Sequence, residues 1–314
     1  LIEMTFNVWY RITEELFKYD DDDFIGQFAP YAEKFIECLY EHCKIDPDDV
    51  DDILDDTSEF GEFRGKVVEA LRDVVFIVNS DKCIQMMHKN LHSASWEESE
   101  ASLFVMTAVM QNLLPESDTN IPEVLQHICS FPIQSHPSLI ITSMRFIAET
   151  RDYLHLHDNL LEPVMQWILL FSTDSRFAYH VAVSFDRITT KCPTQMQSLL
   201  PQLLSLIEVL EQTTTNGIKV EQAICSLTRA CSTIISELPV VESKMAMEQL
   251  CEPIMRNLNK KTSEVLKRML KDSEDVKRLM KASKGSERLR ILHNLFDTSL
   301  KEDSTQKFFL LQNM

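Results

Sequence analysis

Apolar residues recur at three- and four-residue intervals along most of the chain. Phe6, Trp9, Tyr10, Thr13, Leu16 and Phe17 form one stripe; Phe63, Val67, Ala70, Leu71, Val74, Val75 and Val78 form another. These intervals match the α-helical turn, and each stripe is wide enough for a core-facing side. No segment alternates at period two over the length of a strand, so helices alone are expected. Polar breaks separate the stripes near 20–23, 46–61, 93–95, 115–120, 131–136, 156–159, 172–175, 191–193, 213–217 and 237–240, often with proline or a capping residue. They put the first helices of successive pairs near Met4, Glu62, Glu97, Pro137, Ser175 and Gly217. After a longer first interval the spacing is about 35 to 43 residues, close to the HEAT and armadillo period of about 40 to 47. Each pair is apolar on more than one side and can bury that surface only against its neighbours. The expected fold is all-α: a superhelical α-solenoid of HEAT-type antiparallel helix pairs. Trp96, Phe104 and Trp167 are expected in its core, with Trp9 on or beside a stripe.

Two segments break the rhythm. Residues 45–62, reading IDPDDVDDILDDTSEFGE, hold nine carboxylates. So dense a charge predicts an exposed insertion between helices. From about Lys260 the repeat pattern weakens and lysine accumulates. The expected organisation is a solenoid over 1–259 and a less regular helical continuation over 260–314.

Charge and composition narrow the function classes. The formal net charge is −18, and residues 1–62 carry nineteen acidic against four basic side chains. Residues 256–307 reverse this, with fourteen basic and eight acidic. A nucleic-acid binder shows a basic surplus, so no direct nucleic-acid contact is expected, and the acidic end suits a basic partner. Five glycines in 314 residues argue against phosphate-loop folds. No apolar run reaches the roughly 20 residues of a membrane span. The opening Leu1-Ile2-Glu3 has no signal-peptide features and reads as part of a longer chain. Eight cysteines without a CxxC are expected as reduced, mostly core residues.

Particular words carry a family resemblance. Phe6-Asn7-Val8-Trp9-Tyr10-Arg11 precedes a helix pair ending Glu41-His42-Cys43, then the acidic loop. Phe60-Gly61-Glu62-Phe63-Arg64 follows, then Asp73-Val74-Val75-Phe76-Ile77-Val78, then Trp96-Glu97 and Glu100-Ala101-Ser102-Leu103-Phe104-Val105-Met106. This order resembles the central part of importin-β-family receptors of the transportin-SR (transportin 3) branch. The resemblance is dense over 5–114 and thins toward 259. It implies a nuclear import receptor that shuttles between cytoplasm and nucleus. Its partners would be cargo proteins (SR-type splicing factors among them), the GTPase Ran in its GTP form, and nucleoporins. A nuclear exporter and a Ran-independent HEAT scaffold are the rival readings.

The acidic loop is the leading candidate site: Asp48, Asp49, Asp51, Asp52, Asp55, Asp56, Glu59 and Glu62 would face a cationic partner. The alternative is a solvated loop; an EF-hand is disfavoured because its ligand spacing is absent. Lys267, Arg268, Lys277, Arg278, Arg288 and Arg290 could meet phosphate groups, or simply lace an exposed helix with ion pairs. Asp20 to Asp23 are expected to cap the following helix. Cys38, His42 and Cys43 lack further ligands and read as core, while His155 and His157 read as loop; no metal or cofactor is expected. No GxSxG, Walker or HExxH sequence occurs, so no catalytic residue is assigned.

Overall fold

A computed structural model describes residues 2–19, 21–48, 53–92, 95–114, 116, 120–212 and 218–252. The chain divides into two compact units, Leu1–Met247 and Glu248–Met314; of the second, only 248–252 are described, and they are helical. Within the first unit every described regular element is a helix. The α-helices are α1 (Glu3–Tyr19), α2 (Asp22–Gly26), α3 (Ala29–Cys43), α4 (Glu59–Val78), α5 (Ser80–Leu91), α6 (Trp96–Val109) and α7 (Ile121–Cys129). They continue with α8 (Pro137–Glu149), α9 (Arg151–Leu156), α10 (Asp158–Leu169), α11 (Ala178–Thr189), α12 (Leu200–Gln212) and α13 (Ile218–Ser236), and 240–247 are again helical.

The first helices are α1, α4, α6, α8, α11 and α13, and each packs against the next. From α4 onward they begin at 59, 96, 137, 178 and 218, intervals of 37, 41, 41 and 40 residues. That period is the HEAT spacing and exceeds the 34 of a tetratricopeptide repeat. Second helices bridge to the following pair, as in α3 on α4, α5 on α6 and α12 on α13. The fold is therefore an α-solenoid of HEAT type.

Local chemistry sets the helix ends. The Asp21 carboxylate accepts the Phe24 amide at 3.0 Å and starts α2, the capping role expected of this acidic turn. Ser58 accepts the Gly61 amide at 3.0 Å to start α4, and Ser95 accepts that of Glu98 at 3.3 Å to start α6. Helix α4 therefore begins at Glu59, three residues before the expected Glu62, because the serine cap outranks the charge of the turn that follows. Asn79 alone turns the chain between α4 and α5, at φ 69° and ψ 158°. Its amide donates to Val75 O at 2.6 Å and its side chain accepts the Lys82 amide at 3.0 Å.

Helices α6 and α8 are buried nearly all round, with small residues Ala101, Ser102, Ala108, Ser138 and Ser143 permitting close approach. Trp167 is buried as expected, but Phe104 and Trp96 are only half-buried. Phe104 borders a cavity instead of the core, and Trp96 stacks on His136 at 3.6 Å between centroids beside the α8 start. Trp9 is half-buried and stacks on Phe35 at 4.9 Å. All eight cysteines are free, and Cys43, Cys83, Cys192 and Cys231 are buried. Burial pushes the thiols of Cys43, Cys83 and Cys231 up to about 12. Cys38, Cys225 and Cys251 are exposed, contrary to the core expectation, and His42 is exposed with Cys38 on the outer side of α3. His155 lies within α9, and only His157 is in the connection, its ring stacked on Tyr153.

Candidate partner-binding site

The acidic insertion leaves the solenoid at Ile45, which is buried, and returns to it at α4. Asp46 and Asp48 are exposed, and the Asp46 carboxylate accepts the Asp48 amide at 3.0 Å. Asp49, Asp51 and Asp52 lie outside the described residues. From Ile53 onward the loop is docked rather than free. The Leu54 amide donates to the Ser138 hydroxyl on α8 at 3.1 Å. Arg145, two turns further along α8, donates to both Asp56 oxygens at 3.3 and 2.6 Å. Asp55 accepts from the Thr57 amide and hydroxyl at 2.9 and 2.8 Å, bonds that hold its carboxyl below the usual range. Glu59 and Glu62 are exposed in the first turn of α4, where the helix dipole favours negative charge. An exposed insertion was the expectation; the outward carboxylates fit it, and the docked limb corrects it. A short stretch with two apolar residues, Ile53 and Leu54, has enough to gain by lying on the helices.

Beneath this limb lies a cavity of about 270 Å³ between the loop and helices α4, α6 and α8. Its floor is a polar network that sequence reasoning missed. Arg64 is 4% exposed and Glu100 1% exposed. The Arg64 Nη2 donates to both Glu100 oxygens, at 2.8 and 3.0 Å, and the Thr142 hydroxyl donates to Glu100 at 2.6 Å. The guanidinium carbon stands 3.9 Å from the Phe104 ring centroid and 5.8 Å from that of Phe60. Aromatic faces thus supply negative potential where Arg64 Nη1, buried, has no hydrogen-bond partner. The only signal in the sequence was a lone charge on an apolar stripe: Arg64 lies three residues before Val67 and seven before Leu71. Its partner is 36 residues away, beyond any local pattern.

A neutral histidine and one further cation stand beside the loop. His180 on α11 is held down to about 4, first by burial and then by the nearby charges of Arg145 and Lys219. The Lys219 charge also acts on Asp55. Ion pairs join successive first helices: Lys66 to Glu3 at 2.8 Å, Arg187 to Glu149, and Arg229 to Asp186 at 2.6 Å. The proposed phosphate-facing residues Lys267, Arg268, Lys277, Arg278, Arg288 and Arg290 all lie outside the described residues. Among the described residues there is no cluster of metal-ligating side chains, and no helix is long and apolar enough to cross a membrane.

The arrangement sets exposed carboxylates on a loop anchored by Ser138 and Arg145. Residues 1–42 match the family model of the transportin-3/importin-13 second TPR domain, and residues 118–206 that of the third. The chain is 20% identical over 280 residues to transportin MOS14 of Arabidopsis thaliana, covering 80% of this chain and 29% of that protein. It is 21% identical over 173 residues to the mRNA transport regulator MTR10 of Saccharomyces cerevisiae, covering 54% and 18%. The chain thus spans less than a third of the length of these relatives. A solved structure of importin 13 in its cytosolic state superposes with a TM-score of 0.65 at 14% identity, over 94% of this chain and 33% of that one. With two successive domains of one receptor group matched in order along a solenoid of the same fold, the chain is similar to a partial segment of the importin-β-family receptors.

Proposed function

We propose that this chain is the cargo-binding middle of a nuclear import receptor of the transportin-SR branch, in which the acidic loop contacts a basic partner and Ran-GTP drives release. The observation that carries this reading is the loop itself. It is fixed at Ile45, Leu54 and Asp56, yet turns Asp46, Asp48, Asp55, Glu59 and Glu62 to solvent. An anchored array of like charges attracts a cationic surface and raises its association rate. Cargo proteins such as SR-type splicing factors, Ran and nucleoporins are the partners, and the chain would shuttle between cytoplasm and nucleus.

The test replaces Asp48, Asp49, Asp51 and Asp52 with lysine and leaves the Asp56–Arg145 pair in place. Helix content should not change. Association with Ran-GTP or with an arginine-rich cargo segment should slow at low salt, and the salt dependence should flatten. Equal rates for parent and variant at low and physiological salt would reduce the loop to a solvated spacer. Adding Ran-GTP to a cargo complex separates the rivals: release marks an importer, tightening an exporter, and indifference a plain scaffold.

A further inference from the structure

We propose that the surface under the docked limb is a binding site for an extended peptide carrying two apolar residues followed by a carboxylate, and that Ile53 to Asp56 is a tethered ligand now occupying it. The inference does not depend on the transport reading.

Three contacts between the limb and the helices are those an external peptide would make. Its backbone is read by a hydroxyl, through the Leu54 amide and Ser138. Its acidic side chain is read by a two-nitrogen guanidinium contact, from Arg145 to Asp56. Its apolar residues Ile53 and Leu54 border the cavity alongside Val68, Phe104 and Ile141. Both polar contacts come from α8, where Ser138 and Arg145 lie more than eighty residues away. The receiving side is rigid, because the buried Arg64–Glu100–Thr142 network ties α4, α6 and α8 together below it. The held side is short, and both its polar contacts reach solvent, since Asp56 is exposed and Leu54 half-buried. A rigid cradle holding a light, tethered segment is the arrangement from which displacement is easiest. The sign of the charges also sorts partners. The exposed carboxylates attract a basic surface, whereas the cradle beneath, with Arg145 lining it and Lys219 nearby, takes an acidic one once the limb lifts.

The probe is a fluorescein-labelled peptide of the limb's own sequence, Ile-Leu-Asp-Asp-Thr-Ser, read by polarisation against the whole chain. The vacated variant is Leu54→Ala with Asp56→Ala. A limb seated about 90% of the time leaves about a tenth of the molecules competent, so vacating it should tighten peptide binding about tenfold. Adding Arg145→Ala to the vacated variant should abolish binding, and so should a peptide with lysine for the aspartate that meets Arg145. Circular dichroism checks each variant for helix content; if the double variant unfolds, Asp56→Ala alone makes the same comparison. A second measurement needs no mutation. Excess peptide added to the parent chain should speed hydrogen exchange at the Leu54 amide, because it releases that amide from Ser138. Equal peptide affinity in parent and vacated chains, binding that survives loss of Arg145, or a Leu54 amide indifferent to peptide would each overturn the proposal.

Discussion

Glu100 answers a guanidinium that has almost no contact with water, and Thr142 supplies the carboxylate with a further donor. Such a pair adds little net stability, but removing one partner strands the other. Glu100→Ala should therefore cost about 3–5 kcal/mol, and Arg64→Met with Glu100→Leu much less than the sum of the single changes. Denaturant unfolding of the parent, Arg64→Met, Glu100→Leu and the double variant closes the cycle; a loss below about 1 kcal/mol for Glu100→Ala would show that water relieves the charge. His180 makes the opposite case, a group kept neutral by its surroundings. Its folded value lies near 4, below the ordinary 6.5, so protonation favours the unfolded chain. Stability should be undiminished above about pH 6.5, fall as pH drops from there, and level off near 4 where the folded form also takes the proton. Carboxylates titrate in the same range, so the comparison is with His180→Gln, whose stability should fall less steeply across that window. Parallel curves for the two proteins would show that the imidazole is solvated.

At the scale of an element, α4 carries two glycines with opposite duties. A Cβ on Gly61 would stand 2.5 Å from Asp55 O and 2.6 Å from the Asp56 carbonyl, whereas one on Gly65 meets nothing within 4 Å. Gly65→Ala should stabilise the chain by up to about 1 kcal/mol, the gain expected in a helix interior. Gly61→Ala should push the docked limb away from α4 and break the Asp56–Arg145 pair. Thermal unfolding reads the first change and hydrogen exchange at Leu54 the second; a Gly61 variant with an unchanged limb would mean the helix start yields instead. Periodicity made the helices legible because each hides one side, and the starts of α1, α6, α8 and α13 were within a residue of expectation. The same logic misplaced Phe104: a stripe position looks alike whether it meets a neighbouring helix or a cavity beside an arginine. The acidic loop was legible as charge, and Asp46 and Asp48 are exposed as that charge required. Its docking was not, because Ser138 and Arg145 carry no mark of a partner more than eighty residues away.

Across the first unit, stability should be graded and not uniform. Each first helix packs mainly against its neighbours, so opening is local and its cost follows the number of packed sides. Helix α8 buries ten of its thirteen residues and α6 nine of fourteen, whereas α1 buries only Thr13 and Leu16. Hydrogen exchange followed by mass spectrometry should find the slowest amides in α6 and α8 and the fastest helical amides in α1; equal protection would indicate a single cooperative block. The same neighbour rule gives Asn79 a wider reach than its size suggests. One residue makes the whole turn between α4 and α5, so there is no slack to absorb a change of length. One more residue would turn α5 by about 100° about its axis and swing Cys83, Ile84, Met87 and Leu91 out of the seam. The screw of the stack is thus set at that corner, where a change of chain length has nowhere to go.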